Sequence, residues 1–391
     1  MSTPTYPRID VDLDRLPSGP WIYGRQVPHP SDAPPDGSMV EVYDRAGRFF
    51  GHGLYNGSSD IRVRLLTRGK KSDMQRPREF LLRRLAAADR LRRKGLRLER
   101  TTNAYRIAHA EGDDLSGLVV DRLGEVLVCE YHALGFYNMR DDVEWALLQL
   151  YPGYHVVHRV PKSALNKEGY GVVPEENTAE IEIVENGLRF PVLPGQGHKT
   201  GWFCDQRDNR AKVGALAEGL DVLDVCTNAG AFALHAKRAG ARRVRAVDLD
   251  EVVLERAKDA ARRNELEVEF QHEDAYDTLR RVRGESRRPG LVIIDPPKLI
   301  RGRADLERGL KNYGDMNHLA AQATAPGGFL ATFSCSGALD LPAFLGMVFQ
   351  AVRRAERSVR LLEVLGAASD HPQRPDFTRS RYLKGALLAV D

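Results

Sequence analysis

The sequence predicts an α/β protein in three parts, and three observations carry that prediction. Up to about residue 73, short β-type runs alternate with Pro- and Gly-rich turns. From about residue 190, strand-like and helix-like segments alternate, as in an open parallel sheet covered by helices. Between them lies a stretch with its own hairpin–helix–hairpin rhythm. The boundaries are read as 1–75 (a β-rich barrel), 76–190 (a small α+β domain) and 191–391 (a doubly wound, Rossmann-like domain), a division suited to 391 residues.

In the first part, WIYGRQV, MVEVYDRAG, RFFGHGLYN and DIRVRLLTRG read as strands separated by turns such as HPSDAPPDGS, suggesting a small barrel or sandwich. Pro77 to Arg97 reads as a helix. GLVVDRLGEVLVCEYHA reads as a hairpin and RDDVEWALLQLYP as an amphipathic helix, while HVVHRVPKSALNKEG and AEIEIVENGLRFPVL read as strand and loop. In the last part, DVLDV, RRVRAVDLD, VEFQHEDA, PGLVIIDPP and GGFLATFSCS are strands, and AFALHAKRAGA and EVVLERAKDAARRN are helices.

Composition narrows the class. Hydrophobic residues make up 42% and charged residues 29%, which excludes a wholly disordered chain. No run approaches the roughly 20 apolar residues of a membrane span, and the N-terminus lacks a signal-peptide pattern. The four cysteines, Cys129, Cys204, Cys226 and Cys335, form no C-x-x-C pair and no zinc spacing, so reduced thiols in a cytoplasm and no metal are expected. Net charge is only +4, but residues 76–100 hold ten Arg or Lys against three acids. Such a cluster suits a polyanion or a solvated helix face.

In open parallel sheets, ligands sit at the carboxyl ends of strands. The first strand of the last part runs into Asp224-Val225-Cys226-Thr227-Asn228-Ala229-Gly230, which is not G-x-G-x-x-G. The second ends at Asp248, where a carboxylate can accept both hydroxyls of a ribose; the third ends at Asp274, beside Glu273, where one can accept from an adenine amine. Three acids at successive strand ends without a phosphate loop point to S-adenosyl-L-methionine, against the alternative that each Asp caps the next helix.

The fourth strand ends in Asp295-Pro296-Pro297-Lys298 and the fifth in Ser334-Cys335-Ser336-Gly337. The prolines hold Asp295 on rigid backbone, and neighbouring tips can share one pocket with Cys335 as nucleophile; the alternative is a small buried thiol. The pairing suits methylation of a pyrimidine at C5, where a thiolate adds to C6 and an acid meets the charge at N3. Amine methylation often follows Asp-Pro-Pro with an aromatic residue, where this chain has Lys298. The preceding PGQGHKTGWFCDQRDNR contributes His198, Lys199, Asp205, Gln206 and Arg207, with a helix expected from Asp208; composition alone makes it a surface loop, with Trp202 and Phe203 as packing anchors.

GHKTGWFCDQRDNR, LDVCTNAGAFA, VDLD, DPPK, FSCSG, SDHP (369–372) and YLKG (382–385) together resemble the bacterial 23S ribosomal RNA cytosine-C5 methyltransferases, in order along nearly the whole chain. The resemblance implies an N-terminal PUA RNA-binding domain, a central domain and a C-terminal class I methyltransferase domain. It implies Cys335 as nucleophile and Asp295 as ring-contacting acid. It implies a cofactor site at Asp224, Cys226, Asn228, Gly230, Asp248 and Asp274, with Asp205, Gln206 and Arg207 beside it, and Lys199 and Lys298 toward the substrate. The basic 76–100 segment gains a role on phosphate, and a homodimer is plausible from the family. Two stretches depart from the family pattern: Thr227-Asn228-Ala229-Gly230-Ala231 replaces an aromatic followed by Thr-Gly-Gly, and His158-Arg159-Val160-Pro161-Lys162 replaces an Asp-Arg-Ser-Asp type stretch. The alternatives are methylation of uracil C5, methylation of another substrate with Cys335 structural, and an RNA-binding assembly factor without turnover.

Overall fold

The computed structural model describes residues 5–15, 17–28, 32–174, 178–197 and 199–391. The chain divides into two compact units. The first comprises residues 1–181, 192–204 and 370–380; the second comprises 182–191, 205–369 and 381–391.

The first unit contains two sheets. Strands β1 (Arg8–Asp10), β2 (Trp21–Ile22), β3 (Met39–Tyr43), β4 (Phe49–Tyr55) and β5 (Val63–Leu65) form one five-stranded sheet in the order β1-β3-β4-β5-β2. Alternation in β3 sends Val40 and Val42 into a core with Ile9, Ile22, Phe50, Val63 and Leu65. Gly51 has φ +154°, and a Cβ there would lie 2.1 Å from the Thr67 carbonyl oxygen, so only glycine lets β4 approach that turn.

The second sheet runs β6 (Ala104–His109), β7 (Leu118–Leu123), β8 (Val126–Tyr131), β9 (His155–Arg159). The expected hairpin is β7–β8, and the expected amphipathic helix is Arg140–Leu150. HVVHRVPKSALNKEG departs from expectation. Only its start is strand, and Lys162–Glu168 is a helix, entered through Pro161 and closed by Gly169 at φ +66°.

The basic segment also departs from expectation. Its α-helix spans Pro77–Arg90 and gives way to a π-helical turn at Leu91–Gly95. That turn carries Arg92 inward, fully buried. Its guanidinium donates to both oxygens of Asp113 (2.6 and 2.7 Å) and to the Asp370 carbonyl (2.7 Å). The turn thus gives the two terminal nitrogens of a buried guanidinium a bidentate carboxylate, while its Nε stays without a partner.

In the second unit, strands β10 (Ile181–Glu185) and β11 (Leu188–Val192) form a hairpin whose Glu185 is buried against Arg210 (2.5 and 2.7 Å) and His235 (3.3 Å). The main sheet has seven strands: β12 (Asp221–Val225), β13 (Arg243–Asp248), β14 (Glu269–His272), β15 (Leu291–Ile294), β16 (Gly328–Ser334), β17 (Val359–Gly366) and β18 (Lys384–Val390). Their order is β14-β13-β12-β15-β16-β18-β17. The first five are parallel, and β18 runs antiparallel between β16 and β17. All five expected strands are present, in an α/β architecture of the Rossmann type. Helices Ala231–Arg238 and Glu251–Arg263 follow β12 and β13, and Arg207–Gly214 precedes them. Strand order reverses between β12 and β15, the place where open sheets of this kind hold their ligands, beyond the carboxyl ends. No helix of the described residues is long and apolar enough to cross a membrane.

Candidate cofactor and active site

The turn after β12 is built around Asp224. Its carboxylate is fully buried; Oδ2 accepts from Thr227 Oγ1 (2.5 Å) and from the Ala233 amide (3.1 Å). Oδ1 has no hydrogen-bond partner. Burial pushes this carboxyl up to about 7, against the two hydrogen bonds, with the charges of Asp295 and Asp248 adding to the rise. Cys226 and Asn228 follow in left-handed conformation (φ +61° and +50°). Gly230 completes the turn at φ +73°, where a Cβ would sit 3.0 Å from the Ala257 Cβ and 3.2 Å from Phe270. At this glycine the backbone is therefore packed closely against a neighbouring helix and strand.

The helix-capping alternative holds for Asp274. Its Oδ1 accepts from the Tyr276 and Asp277 amides (2.8 and 3.2 Å) and caps Ala275–Val282. Glu273 beside it is committed to Arg281 (2.6 Å) and Thr278 (2.8 Å). Asp248 is different. The following helix is capped by Asp250, while Asp248 Oδ2 accepts from the Asn228 amide (2.8 Å) and Oδ1 from the Asp250 amide (3.0 Å). Asp248 thus ties the ends of β12 and β13 while remaining partly exposed, with the 61%-exposed Leu249 next to it. Burial pushes the Cys226 thiol well up, and the carboxylates of Asp248, Asp295, Asp224 and Asp274 add to the effect. The charges of four strand-end acids thus reinforce what burial does to this thiol.

Asp295 follows β15 directly and its amide reaches the Val225 carbonyl (3.4 Å). Gln206 Nε2 donates to Asp295 Oδ2 (2.9 Å), and Asn209 Nδ2 donates to Gln206 Oε1 (2.6 Å), fixing the amide orientation. Pro296 is buried, whereas Pro297 and Lys298 are exposed. Parallel pairing of β15 with β16 aligns Ile294 with Thr332, so Asp295 and Cys335 emerge from adjacent strand ends. Cys335 is half-buried between two buried serines. Tyr313 and Ser336 hydroxyls are 3.0 Å apart, and Ser336 Oγ accepts from the Ile300 amide (3.2 Å). These bonds lace the Asp-Pro-Pro-Lys loop to the Ser-Cys-Ser loop.

The structure distributes the GHKTG-x-x-x-DQR residues. Asp205, Gln206 and Arg207 belong to the second unit; Lys199 belongs to the first, its ammonium 4.7 Å from the Phe203 ring centre. His198 lies outside the described residues. Asp205 Oδ2 accepts from Tyr382 Oη (2.7 Å), and the buried Arg207 pairs with Asp208 (3.0 Å). Two residues that sequence reasoning quoted only inside a motif prove central: Tyr382 and Lys384. Lys384 Nζ donates to the Ser336 carbonyl (2.6 Å) and the Tyr382 carbonyl (2.7 Å). Antiparallel insertion of β18 beside β16 brings it there, pairing Lys384 with Ser334. No local sequence signal announces that pairing. Among the described residues no group of three His, Cys, Asp or Glu is arranged to hold a metal.

A family model described as S-adenosylmethionine-dependent methyltransferase matches residues 152–388, and a PUA-like domain model matches residues 18–68. Ribosomal RNA large subunit methyltransferase I of Aeromonas salmonicida is 35% identical over 377 residues, covering 94% of each chain. The protein of that name from Tolumonas auensis is 35% identical over 400 residues, covering 99% of each. The chain belongs to the S-adenosylmethionine-dependent methyltransferases. Among solved structures, a candidate SAM-dependent methyltransferase from Streptococcus mutans superposes with TM-score 0.80 at 20% identity, covering 98% of this chain and all of that one. A methyltransferase structure complexed with SAH superposes with TM-score 0.79 at 20% identity, covering 98% of this chain and 99% of that one. Both share the fold. The methyltransferase uses S-adenosylmethionine, and its residues fit that cofactor. Asp224 Oδ1 is a buried acceptor still lacking a donor, and the partly exposed Asp248 carboxylate suits ribose hydroxyls. Leu249 offers an apolar surface beside it.

Proposed function

We propose that the protein forms 5-methylcytosine in the RNA of the large ribosomal subunit through a covalent Cys335–C6 adduct. The observation that carries this reading is the emergence of Asp295 and Cys335 from adjacent parallel strand ends, laced together through Tyr313 and Ser336. The name borne by the relatives from Aeromonas salmonicida and Tolumonas auensis, ribosomal RNA large subunit methyltransferase I, supports an RNA of that subunit as substrate.

In this reading the Cys335 thiolate bonds through sulfur to C6, and the displaced π pair makes C5 nucleophilic. Asp295, oriented by Gln206, donates its carboxyl proton to N3 as charge develops there and takes it back when the thiolate leaves. S-adenosylmethionine supplies the methyl group on a sulfonium. After transfer a base takes the C5 proton, the C5–H pair re-forms the C5–C6 double bond, and the S–C6 bond breaks to return the thiolate. Lys298 and Lys199 act toward the substrate. Asp224, Cys226, Asn228, Gly230, Asp248 and Asp274 line the cofactor site, with Asp205, Gln206 and Arg207 beside it.

The 1–75, 76–190 and 191–391 parts serve as PUA-like RNA-binding, central and methyltransferase domains. Phosphate contacts from the basic segment fall to Arg83, Arg90, Lys94, Arg97 and Arg100, which are exposed and make no ion pair among the described residues. Arg76, Arg78, Arg84 and Arg93 pair with Glu79, Asp142, Asp114 and Glu99, and Arg92 is interior. The reading includes a cytoplasmic homodimer, supported by the family resemblance; sedimentation velocity tests the dimer.

The deciding experiment is tritium release from ribosomal RNA labelled at pyrimidine C5, with cytidine- and uridine-labelled batches run separately beside S-adenosylmethionine. Release from the cytidine batch alone is expected. Release from the uridine batch would transfer the protein to uracil methylation, and release from neither, on naked RNA and on subunits, would reject the covalent mechanism.

A further inference from the structure

Attack on C6 requires Cys335 as the thiolate, and a fixed positive charge favours that form. Burial, with the nearby carboxylates adding to it, holds the Cys226 thiol protonated, and a protonated thiol does not add to C6. The loop that carries Cys335 is tied to a buried ammonium. Lys384 is 3% exposed, and its Nζ is pinned by the carbonyls of Ser336 and Tyr382 at 2.6 and 2.7 Å. Ser336 is the residue directly after Cys335, and β18–β16 pairing places Lys384 opposite Ser334, directly before it. The cation is thus fixed at the loop that carries the thiol, on a strand rather than on a flexible segment.

We propose that Lys384 is the positioning residue that holds Cys335 as a thiolate for attack, by presenting a fixed ammonium beside it. This rests on the reading of Cys335 as the nucleophile. The thiol proton leaves to solvent, sulfur keeps the electron pair, and the ammonium remains protonated through the cycle. The same cation stabilises the thiolate when the S–C6 bond breaks, so it favours both the first and the last covalent step. Other charged or titratable groups at this place are Lys298 from the loop after β15, Asp340 after the Cys335 loop, Tyr313, and Asp295 at the adjacent strand end. Burial pulls the Lys384 ammonium down to about 8, with Cys335 and Asp340 opposing that fall and Lys298 adding to it, in keeping with a cation taken out of water to serve an anion.

The test is the pH dependence of Cys335 alkylation by iodoacetamide, followed by mass spectrometry of the Cys335 peptide in the full-length protein. Wild type, Lys384→Met, Lys384→Gln and Lys384→Arg are compared. S-adenosylhomocysteine affinity checks that each variant is folded. Removing the charge is expected to move the alkylation midpoint up by about one pH unit, roughly a tenfold slower reaction at pH 7. Lys384→Gln keeps a donor without the charge and should behave as Lys384→Met, whereas Lys384→Arg should return toward wild type. Superimposable alkylation profiles in folded Met and Gln variants, even with reduced methyl transfer, would make Lys384 a purely structural tie and overturn the proposal. Undiminished turnover in Cys335→Ala is a separate outcome: it would remove the nucleophile reading itself and this inference with it.

Discussion

Asp224→Asn should abolish a pH dependence that the wild-type fold carries. The Asp224 carboxyl is pushed up to about 7, whereas in the unfolded chain it ionises near the ordinary value of about 3.9. Between those two values the folded state holds a proton that the unfolded state has released. Stability therefore falls as pH rises through that window and levels off above about 7. The slope reaches about 1.4 kcal/mol per pH unit and flattens near 7, so from pH 5 to pH 7 the wild type loses about 2.3 kcal/mol through this group. Asparagine suits the test because Thr227 and Ala233 both donate to the same oxygen, Oδ2. An amide oxygen can take that place and keep both bonds, with its NH2 at the partnerless Oδ1 position. Calorimetry of ligand-free protein at pH 5 and pH 8 is the assay. The melting temperature of Asp224→Asn should rise relative to wild type by about 5–10 °C between the two pH values. A constant difference between the two proteins would refute the reasoning and place the Asp224 carboxylate in an ionised, compensated state.

Three further outcomes follow from the same geometry. Cys335→Ala should abolish methyl transfer and leave S-adenosylhomocysteine binding within a few-fold, whereas Asp248→Ala should weaken that binding first; isothermal titration separates the two, and intact binding in Asp248→Ala would remove it from the cofactor site. Arg92→Ala leaves Asp113 buried without its cation and should cost about 3–5 kcal/mol in urea unfolding, while Arg90→Ala should stay within about 0.5 kcal/mol and instead lower RNA affinity and its salt dependence. Gly230→Ala forces a side chain into left-handed backbone and against Ala257 and should cost at least about 1 kcal/mol, with a matching loss of cofactor affinity as the turn shifts; thermal melting with and without S-adenosylhomocysteine reads both effects.

Much of the second unit was legible in the sequence because it is written locally. Apolar runs such as LVIID and FLATF must be buried strands, and the helices between them carry their own periodicity. The acids at the strand ends could be placed for the same reason, since a strand end is visible in one dimension. The division of labour among those acids was not. Asp274 caps a helix and Asp248 does not, because Asp250 rather than Asp248 lies at the N-cap of its helix. In the first unit, ten cations look equivalent by charge, whereas a single π-helical turn buries Arg92 and five others are both exposed and without an ion pair among the described residues.

The sequence by itself determined the class of fold, the alternation that builds the parallel sheet, and the residue types at the strand ends, because burial and backbone pairing act over a few residues. Tertiary structure decided which groups meet. Lys384 stands 49 residues from Cys335 and reaches its loop only because the final strand inserts antiparallel beside the strand that carries the thiol. Gln206 reaches Asp295 across 89 residues for an equally non-local reason. Strand order in a sheet is set by the packing of the whole domain, and no local propensity encodes it.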